Sequence, residues 1–231
     1  MNNTEDNYLI IPPNIISGNV TAIFTARASE ERPEGIAESI NISKNNIYLP
    51  IQKHTDSVHV LQSGMEPVVA DAIVTRRRGV LIGVKVADCV PVLLFDGKSQ
   101  VVGAVHAGWR GTSKQILKKT IATMKKEFSS SADDIMVAIG PCIRGCCYEV
   151  GGDVRDAFES AAGKGTNIKE MNGRYHIDLS SANLRQAVSS GIPEANIWSS
   201  VLCTCCNHDK FYSYRYAKGN TGRQGGFIGM W

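Results

Sequence analysis

The sequence predicts a strand-rich mixture of β-strands and α-helices in a single domain. Its 231 residues are 43% hydrophobic and 20% charged, which suffices for a substantial core and is the composition of an ordinary globular protein. β-Branched segments follow one another closely before the first long helical pattern, so too few helices separate them for a doubly wound parallel sheet. No repeat and no long Pro, Ser or Gly linker interrupts residues 1–231, which we therefore expect to form one domain.

The early strands are β-branched and bounded by Gly, Asp, Lys or Ser. They are predicted at residues 21–27, 46–52, 58–62, 71–76, 80–86, 91–96 and 101–107. The segments GVLIGVKVADC and VVGAVHA are apolar at nearly every position, which is typical of strands covered on both faces.

A helical period replaces the strand pattern in TSKQILKKTIATMKKEF. Its apolar face consists of Leu117, Ile121, Met124 and Phe128. Thr112 or Ser113 is the predicted N-cap. The remaining elements are strands at 134–140 and 196–204 and helices at 151–162 and 180–193, the last closed by Gly191 and Pro193.

The charge distribution argues against nucleic-acid binding. The formal net charge is only +3, the Lys and Arg residues are scattered, and the densest basic run is Arg76–Arg78. The N-terminus has no cationic start followed by a long apolar stretch, so we predict no secretory signal. No run approaches the ~18 apolar residues of a membrane span. We therefore expect a cytoplasmic protein without a membrane partner.

Seven cysteines are distributed unevenly. Cys89 stands alone, whereas one group follows residue 141 and another follows residue 202. An odd number of cysteines without a signal argues against a disulfide framework. Metal binding, redox chemistry and buried thiols all remain open for the two groups.

Three chemistry-bearing side chains are expected at strand ends. Cys89 and His106 end two predicted strands, and His54 follows a third. Two imidazoles and a thiolate form a set of Zn²⁺ ligands that leaves a fourth position open, as in catalytic zinc sites. Alternatively, Cys89 is a nucleophile activated by His106, or each histidine is only a hydrogen-bonded structural residue. A coordinated thiolate is not free to attack, so the first two hypotheses exclude each other.

Four ordered motifs carry a family resemblance. VADCVPVLLFD, GAVHAGWRGT, AIGPCIRGCCYEVG and FYSYRYAKGNTGR together resemble the YfiH family, also called the laccase-domain or polyphenol-oxidase family, from about residue 50 to the C-terminus. The resemblance implies an α+β fold, a mixed β-sandwich flanked by helices, similar to the catalytic domain of cytotoxic necrotizing factor toxins. It also implies zinc bound by His54, Cys89 and His106. One departure is Thr55 directly after the first histidine, where the family usually has Gly.

The family implies three kinds of activity. The first is phosphorolysis of purine nucleosides (adenosine, guanosine or 5′-methylthioadenosine) together with adenosine deamination. The second is an amidase acting on a peptidoglycan precursor, and the third is copper-dependent oxidation of phenols. Five histidines are too few for a blue-copper site plus a trinuclear cluster, so we favour the purine activities with zinc, and with phosphate as the second substrate.

An anion site is predicted in GWRGTSK, where a strand leads into a helix. Backbone amides and Arg110 would bind phosphate there, and Trp109 would be either a stacking face or a core residue. The predicted catalytic residues are thus Cys89, His106 and Arg110. Further pocket-lining candidates are Tyr212, Tyr214, Arg215 and Arg223.

A second metal site is one interpretation of the later cysteines. It would combine Cys203, Cys205, Cys206 and His208 with Cys142, although the C-x-C-C pattern differs from the usual C-x₂-C zinc pair. Reduced thiols or a local disulfide are the alternatives, and Cys146 and Cys147 are expected to pack near the sheet. The oligomeric state, monomer or homodimer, stays open.

Overall fold

Two β-sheets face each other in the computed structural model, which describes residues 9–27, 37, 41–162 and 167–231. The first sheet has five strands in the order β1-β2-β14-β6-β3. These are β1 (Leu9–Ile10), β2 (Val20–Thr25), β3 (Ile47–Tyr48), β6 (Val80–Val86) and β14 (Gln224–Met230). All neighbours are antiparallel except β3 and β6.

The second sheet has six strands in the order β13-β9-β7-β8-β5-β4. These are β4 (Val58–Val60), β5 (Ala72–Thr75), β7 (Val90–Asp96), β8 (Val101–Ala107), β9 (Ile135–Ile139) and β13 (Ile197–Ser199). The central pairs are antiparallel, and the two outer pairs are parallel. A small third sheet is formed by β10 (Glu149–Val150), β12 (Arg174–Ile177) and β11 (Ile168–Met171).

Two helices, α2 (Ile116–Phe128) and α4 (Leu179–Ser189), cover the outer face of the six-stranded sheet. The described residues also form the helices α1 (Trp109–Ser113), α3 (Gly152–Ala162) and α5 (Tyr214–Ala217), with 3₁₀ turns at Lys44–Asn46, Ala132–Asp134 and Glu194–Asn196. In the described part of the chain, no helix combines the length and apolar character that a membrane span requires.

Successive side chains on the central strands point to opposite faces of the sheet, so they belong to two separate hydrophobic cores. On β7, Leu93 packs between the sheets with residues such as Phe24 and Ile228, whereas Val92 and Leu94 face the helices. Both faces of β7 and β8 are therefore buried, as their uninterrupted apolar sequences predict. The predicted mixed β-sandwich flanked by helices is confirmed.

Strand β14 was not predicted, because its glycines resemble a loop. It lies at the centre of the five-stranded sheet, paired with both β2 and β6. A Cβ on Gly225 would lie 2.5 Å from the carbonyl oxygen of Val84, and a Cβ on Gly83 would lie 2.3 Å from the ring of Phe227. The glycines are thus required by close packing within the sheet.

Three boundaries differ from the sequence prediction. The helix expected to start at Thr112 or Ser113 is two helices, broken where Gln115 adopts a left-handed backbone with φ of 61°. Thr112 lies inside α1, where its hydroxyl accepts a hydrogen bond from the Asn183 amide. The strands predicted at 46–52 and 196–204 extend only over β3 and β13.

Candidate metal centre

His54, Cys89 and His106 converge, as the sequence predicts. Each offers one ligand atom, and these atoms all lie within 4.8 Å of one another. The antiparallel register of β7 and β8 pairs Val90 with Ala107, so Cys89 lies beside Gly108, just past the strand ends. His54 enters from the loop after β3, and its ring meets that of His106 edge-on, with centroids 4.9 Å apart.

Asp71 orients His106. This carboxylate is fully buried at the start of β5, and its Oδ1 lies 2.7 Å from Nδ1 of His106. Because Nδ1 is engaged by the carboxylate, Nε2 is left for the site, which is the arrangement of a metal-ligating histidine. Sequence reasoning missed Asp71, whose only signal is an acidic residue at the first position of the segment DAIVTR.

Asp71 also holds the loop that carries His54. Its Oδ1 accepts the backbone N–H of His54 at 3.1 Å, and its Oδ2 accepts both the backbone N–H and the hydroxyl of Thr55 at 2.6 Å. His54 itself has a φ of 55°, in the left-handed region. The departure from Gly at Thr55 therefore adds a hydroxyl donor that anchors the loop to the same carboxylate.

The site is strongly polarised. Burial raises the pKa of the Cys89 thiol, but the charge of His106 and hydrogen bonds from His106 and His54 outweigh it and lower that pKa to about 6. Burial lowers the pKa of His106, but the Cys89 thiolate and Asp71 raise it to about 9. Burial opposes ionisation of Asp71, whereas hydrogen bonds from His106 and Thr55 hold its pKa well below the usual range. The two shifts have one cause, since a thiolate on Cys89 and a proton on His106 stabilise each other.

Asp88 fixes the backbone that presents Cys89. It is buried and has a φ of 85°, a conformation that its surroundings hold in place. Its side chain accepts hydrogen bonds from the Thr204 hydroxyl at 2.6 Å and the Arg215 backbone N–H at 2.7 Å. Its carbonyl accepts the Ile143 N–H at 2.9 Å. Three distant segments therefore meet at the residue before Cys89.

These residues fit a metal ion. Two imidazole nitrogens and one thiolate are donors that zinc and related divalent cations prefer, and three protein ligands leave a position open. Gly108 has no side chain where one would crowd the donors: a Cβ there would lie 3.1 Å from the Cys89 sulfur and 3.2 Å from the His54 ring. Copper and zinc both accept such donors, so the geometry supports a metal site without identifying the ion.

Aromatic and cationic side chains border the donors. The exposed Arg110 guanidinium stacks 4.5 Å from the ring of Trp109, which is half-buried against the helical core. Tyr148 lies among Cys89, Arg110 and Arg215: burial raises its pKa to about 12, with the Cys89 charge adding to this and the two arginines opposing it. Arg215 lies 5.3 Å from the Tyr148 ring.

The other predicted lining residues have different surroundings. Tyr212 stacks with Arg27 at 5.1 Å, and Arg223 donates to the carbonyls of Thr221 and Gly222 in its own loop. Tyr214 is exposed on α5. None of these contacts reaches the three donors.

A second group of ligand atoms lies elsewhere. The sulfurs of Cys146, Cys147, Cys203 and Cys206 all lie within 4.8 Å of one another. The predicted members Cys142, Cys205 and His208 are not in this group. Cys142 is fully buried, where desolvation raises its pKa, and the ring of His208 stacks on that of Tyr216 at 3.6 Å.

Comparisons with known proteins point to one family. The family described as multi-copper polyphenol oxidoreductase laccase matches residues 25–231. A purine nucleoside phosphorylase of Bacteroides thetaiotaomicron is 40% identical over 156 residues, which cover 66% of this chain and 58%, less than two thirds, of that protein. Adenosine deaminase RL5 of an unknown prokaryotic organism is 36% identical over 203 residues, covering 81% and 76%. The crystal structure of YlmD from Geobacillus stearothermophilus superimposes with a TM-score of 0.87 at 26% identity, covering 94% and 93%.

Proposed function

The chain belongs to the multi-copper polyphenol oxidoreductase laccase family, and we propose that it is a zinc-dependent purine nucleoside phosphorylase that also deaminates adenosine. The observation that carries this proposal is the open three-donor site of His54, Cys89 and His106. The names of two relatives support both activities. Adenosine, guanosine and 5′-methylthioadenosine are the candidate substrates.

The donor chemistry favours zinc over a multi-copper centre. A blue-copper oxidase needs several histidine-rich sites, whereas the described residues bring only His54 and His106 together. The other three histidines lie apart: His59 stacks on Tyr48, His176 lies 2.9 Å from the carbonyl of Gly145, and His208 stacks on Tyr216. We therefore assign to this site one ion, bound by two imidazoles and one thiolate.

The chain's own residues would orient the substrates around that ion. When bound, zinc supplies Lewis acidity and lowers the pKa of a water molecule toward about 7, as deamination at the purine C6 requires. Asp71 holds the tautomer of His106. A purine could stack on Trp109 or Tyr148 by displacing the guanidinium of Arg110 or Arg215 that lies over the ring. In phosphorolysis, a phosphate oxygen forms a bond to C1′ of the ribose while the bond from C1′ to the purine breaks.

Arg110 is the proposed phosphate ligand. Helix α1 has only five residues, so its dipole is small and the anion preference rests on side-chain charge. Arg110 is exposed beside the site, and Arg215 lies across Tyr148. Guanidinium groups bind phosphate through paired hydrogen bonds.

Substrate binding is assigned to the donors rather than to a cavity near the second cysteine group. That cavity has a volume of about 800 Å³ and is lined by residues including Arg144, Cys146, Lys169, His176 and Asp178. None of the three donors lines it. The residues that line it include two thiols, those of Cys146 and Cys203, but no Phe, Tyr or Trp ring on which a purine could stack, so we do not place the reaction there.

A thiol hydrolase or amidase is the second candidate. Cys89, His106 and Asp71 have the order of a nucleophile, a base and an orienting carboxylate, and the lowered pKa of Cys89 favours attack by its thiolate. The third donor, His54, is unnecessary for such a triad but completes a metal site. This favours the metalloenzyme.

We further propose that the protein acts in the cytoplasm, as a monomer or homodimer, on small molecules rather than on nucleic acid or membranes. The odd number of cysteines, seven, supports a reducing compartment, because it does not fit a disulfide framework. Organisation as one domain over residues 1–231 is part of the same proposal.

The proposal is tested by elemental analysis and turnover of the parent protein and its Cys89→Ala variant, both purified without an affinity tag. We expect zinc at the three-donor site to be lost in the variant, together with phosphate-dependent release of purine from guanosine. Cys205→Ser is the matched control, since Cys205 lies outside both donor groups. A metal-free parent whose Cys89 is alkylated rapidly at neutral pH would instead support the thiol hydrolase.

A further inference from the structure

Four cysteine thiols on two loops lie close together, and the proposed reaction does not use them. Cys146 and Cys147 lie in the turn before β10, and Cys203 and Cys206 lie in the loop after β13. The sulfur of Cys206 is 3.6 Å from that of Cys146 and 3.3 Å from that of Cys147. Ligands at ~2.3 Å from a tetrahedral zinc are about 3.8 Å apart, so the four sulfurs already have nearly the spacing of a zinc site.

The backbone around Cys203 supplies N–H donors of the kind that a metal-bound sulfur accepts. The N–H of Arg144 donates to the Cys203 sulfur at 3.4 Å, and the N–H groups of Cys205 and Cys206 are directed at the same atom. Metal binding requires the thiolate. Cys203 and Cys206 also have C-x₂-C spacing, which is usual for one half of a structural zinc site. The pattern C-x-C-C thus includes a C-x₂-C pair, Cys203 and Cys206, within the predicted second metal site.

We propose that Cys146, Cys147, Cys203 and Cys206 bind a second zinc ion, as a closed structural site. All four ligands come from the protein, so no position is left for water or substrate. The backbone already sets the two loops side by side: a parallel bridge joins Cys142 to Cys203, and the Thr204 N–H donates to the Cys142 carbonyl at 3.1 Å.

This zinc ion would stabilise the backbone next to Cys89. Ile143 in the first loop donates its N–H to the Asp88 carbonyl, and Thr204 in the second donates its hydroxyl to the Asp88 side chain. Asp88 precedes Cys89 and has the left-handed conformation described above. The second ion therefore holds together the two loops that fix a ligand of the first.

Elemental analysis of Cys89→Ala isolates the second site, because the first has lost a ligand. We expect about one zinc per chain in this variant, as a structural site predicts. Cys206→Ser in the same background should lose it, and Cys206 is exposed, so the change leaves the core intact. Cys205→Ser is the control and should keep the zinc. Loss of zinc from both double variants alike would overturn the donor assignment.

Thiol labelling of Cys89→Ala tests the same site without a further substitution. With zinc bound, the four donor cysteines should resist alkylation until a chelator is added, whereas Cys205 should react at once. Mass spectrometry then distinguishes the alternatives. A zinc-free protein with four reactive thiols, or with a disulfide joining Cys206 to Cys146 or Cys147, contradicts the proposal. Neither result bears on nucleoside turnover by the first site, so the two proposals fail independently.

Discussion

The three-donor site and the four-cysteine cluster contrast in how the fold supports them. His54, Cys89 and His106 are backed by a fully buried carboxylate, Asp71, which orients a ligand and holds a loop. The four-cysteine cluster is supported chiefly by backbone N–H groups on one sulfur, and two of its thiols are exposed. Three ligands with an oriented imidazole are typical of a catalytic metal site, whereas four thiolates are typical of a structural site that joins two loops.

Asp71→Ala should have the largest effect on the free energy of unfolding. It removes the buried carboxylate that supports the three-donor site and has no counterpart in the four-cysteine cluster. Deleting the carboxylate leaves the buried His106 ring and the loop amides at Thr55 without their acceptor. We expect the free energy of unfolding of the metal-free protein to fall by about 3–5 kcal/mol. Denaturant unfolding measures this loss, and elemental analysis should show the first zinc missing.

Asp96→Ala is the control for that substitution. Asp96 is also buried in the six-stranded sheet, but among the described residues its side chain accepts only the N–H groups of Lys98 and Ser99. The control should be destabilised yet keep its metal. Equal metal loss in both variants would show that Asp71 acts only through general stability.

Cys206→Ser should have the opposite signature, with stability affected more than chemistry. Loss of a bound ion removes about 2.7 kcal/mol if free zinc was at 100 times its dissociation constant. The zinc-dependent part of the thermal unfolding temperature should therefore decrease in this variant, whereas Cys89→Ala should retain it. If both variants lose the same zinc-dependent stabilisation, the distinction between a structural and a catalytic site is wrong.

Arg110→Gln tests whether phosphate binds beside the three-donor site. Losing a hydrogen bond between charged groups costs ~1.5–3 kcal/mol, so KM for phosphate should rise about 10- to 100-fold. Deamination of adenosine uses no phosphate and should change little. Arg155→Gln is the control, since Arg155 likewise stacks on an aromatic ring, that of Tyr175 at 4.3 Å. A similar loss of both activities would exclude Arg110 as a phosphate ligand.

Asp56→Asn should have the smallest effect on the free energy of unfolding. Asp56 lies at the outer edge of the loop that carries His54. The Lys119 hydrogen bond lowers the pKa of Asp56 from 3.8, burial opposes the shift, and the charges of Lys119 and Lys114 add to it. A depressed pKa contributes stability that is present above 3.8 and is lost as the pH falls through the folded-state value. The variant should lose ~0.2–1 kcal/mol near neutral pH and match the parent in acid. A difference that persists in acid would assign the effect to packing.

The sequence predicts that His54, Cys89 and His106 come together, but it does not predict the residues that hold them in place. Cys89 and His106 stand at the ends of strongly apolar strands, a pattern visible in the sequence. Asp71 and Asp88 are single acidic residues near strand ends, and their roles depend on distant partners such as Thr204. Strand β14 escaped prediction because glycine packing, not side-chain alternation, forms it.

Only one half of the four-cysteine cluster can be predicted from sequence spacing, because its two pairs of cysteines lie far apart along the chain. The spacing from Cys203 to Cys206 is local, but Cys146 is 60 residues from Cys206 along the chain. The sequence interpretation includes Cys142, but its side chain is buried outside the group. Local spacing predicts one half of such a site, and the fold supplies the other half.

Phosphate-dependent purine release by the parent protein is the decisive measurement, because the reaction is assigned to the three-donor site alone. We expect guanosine to be converted to guanine only when phosphate is present. A chelator should abolish this turnover, and added zinc should restore it. Turnover that survives the chelator, needs no phosphate and stops on alkylation of Cys89 would exclude a metal-dependent phosphorylase and establish a thiol enzyme instead.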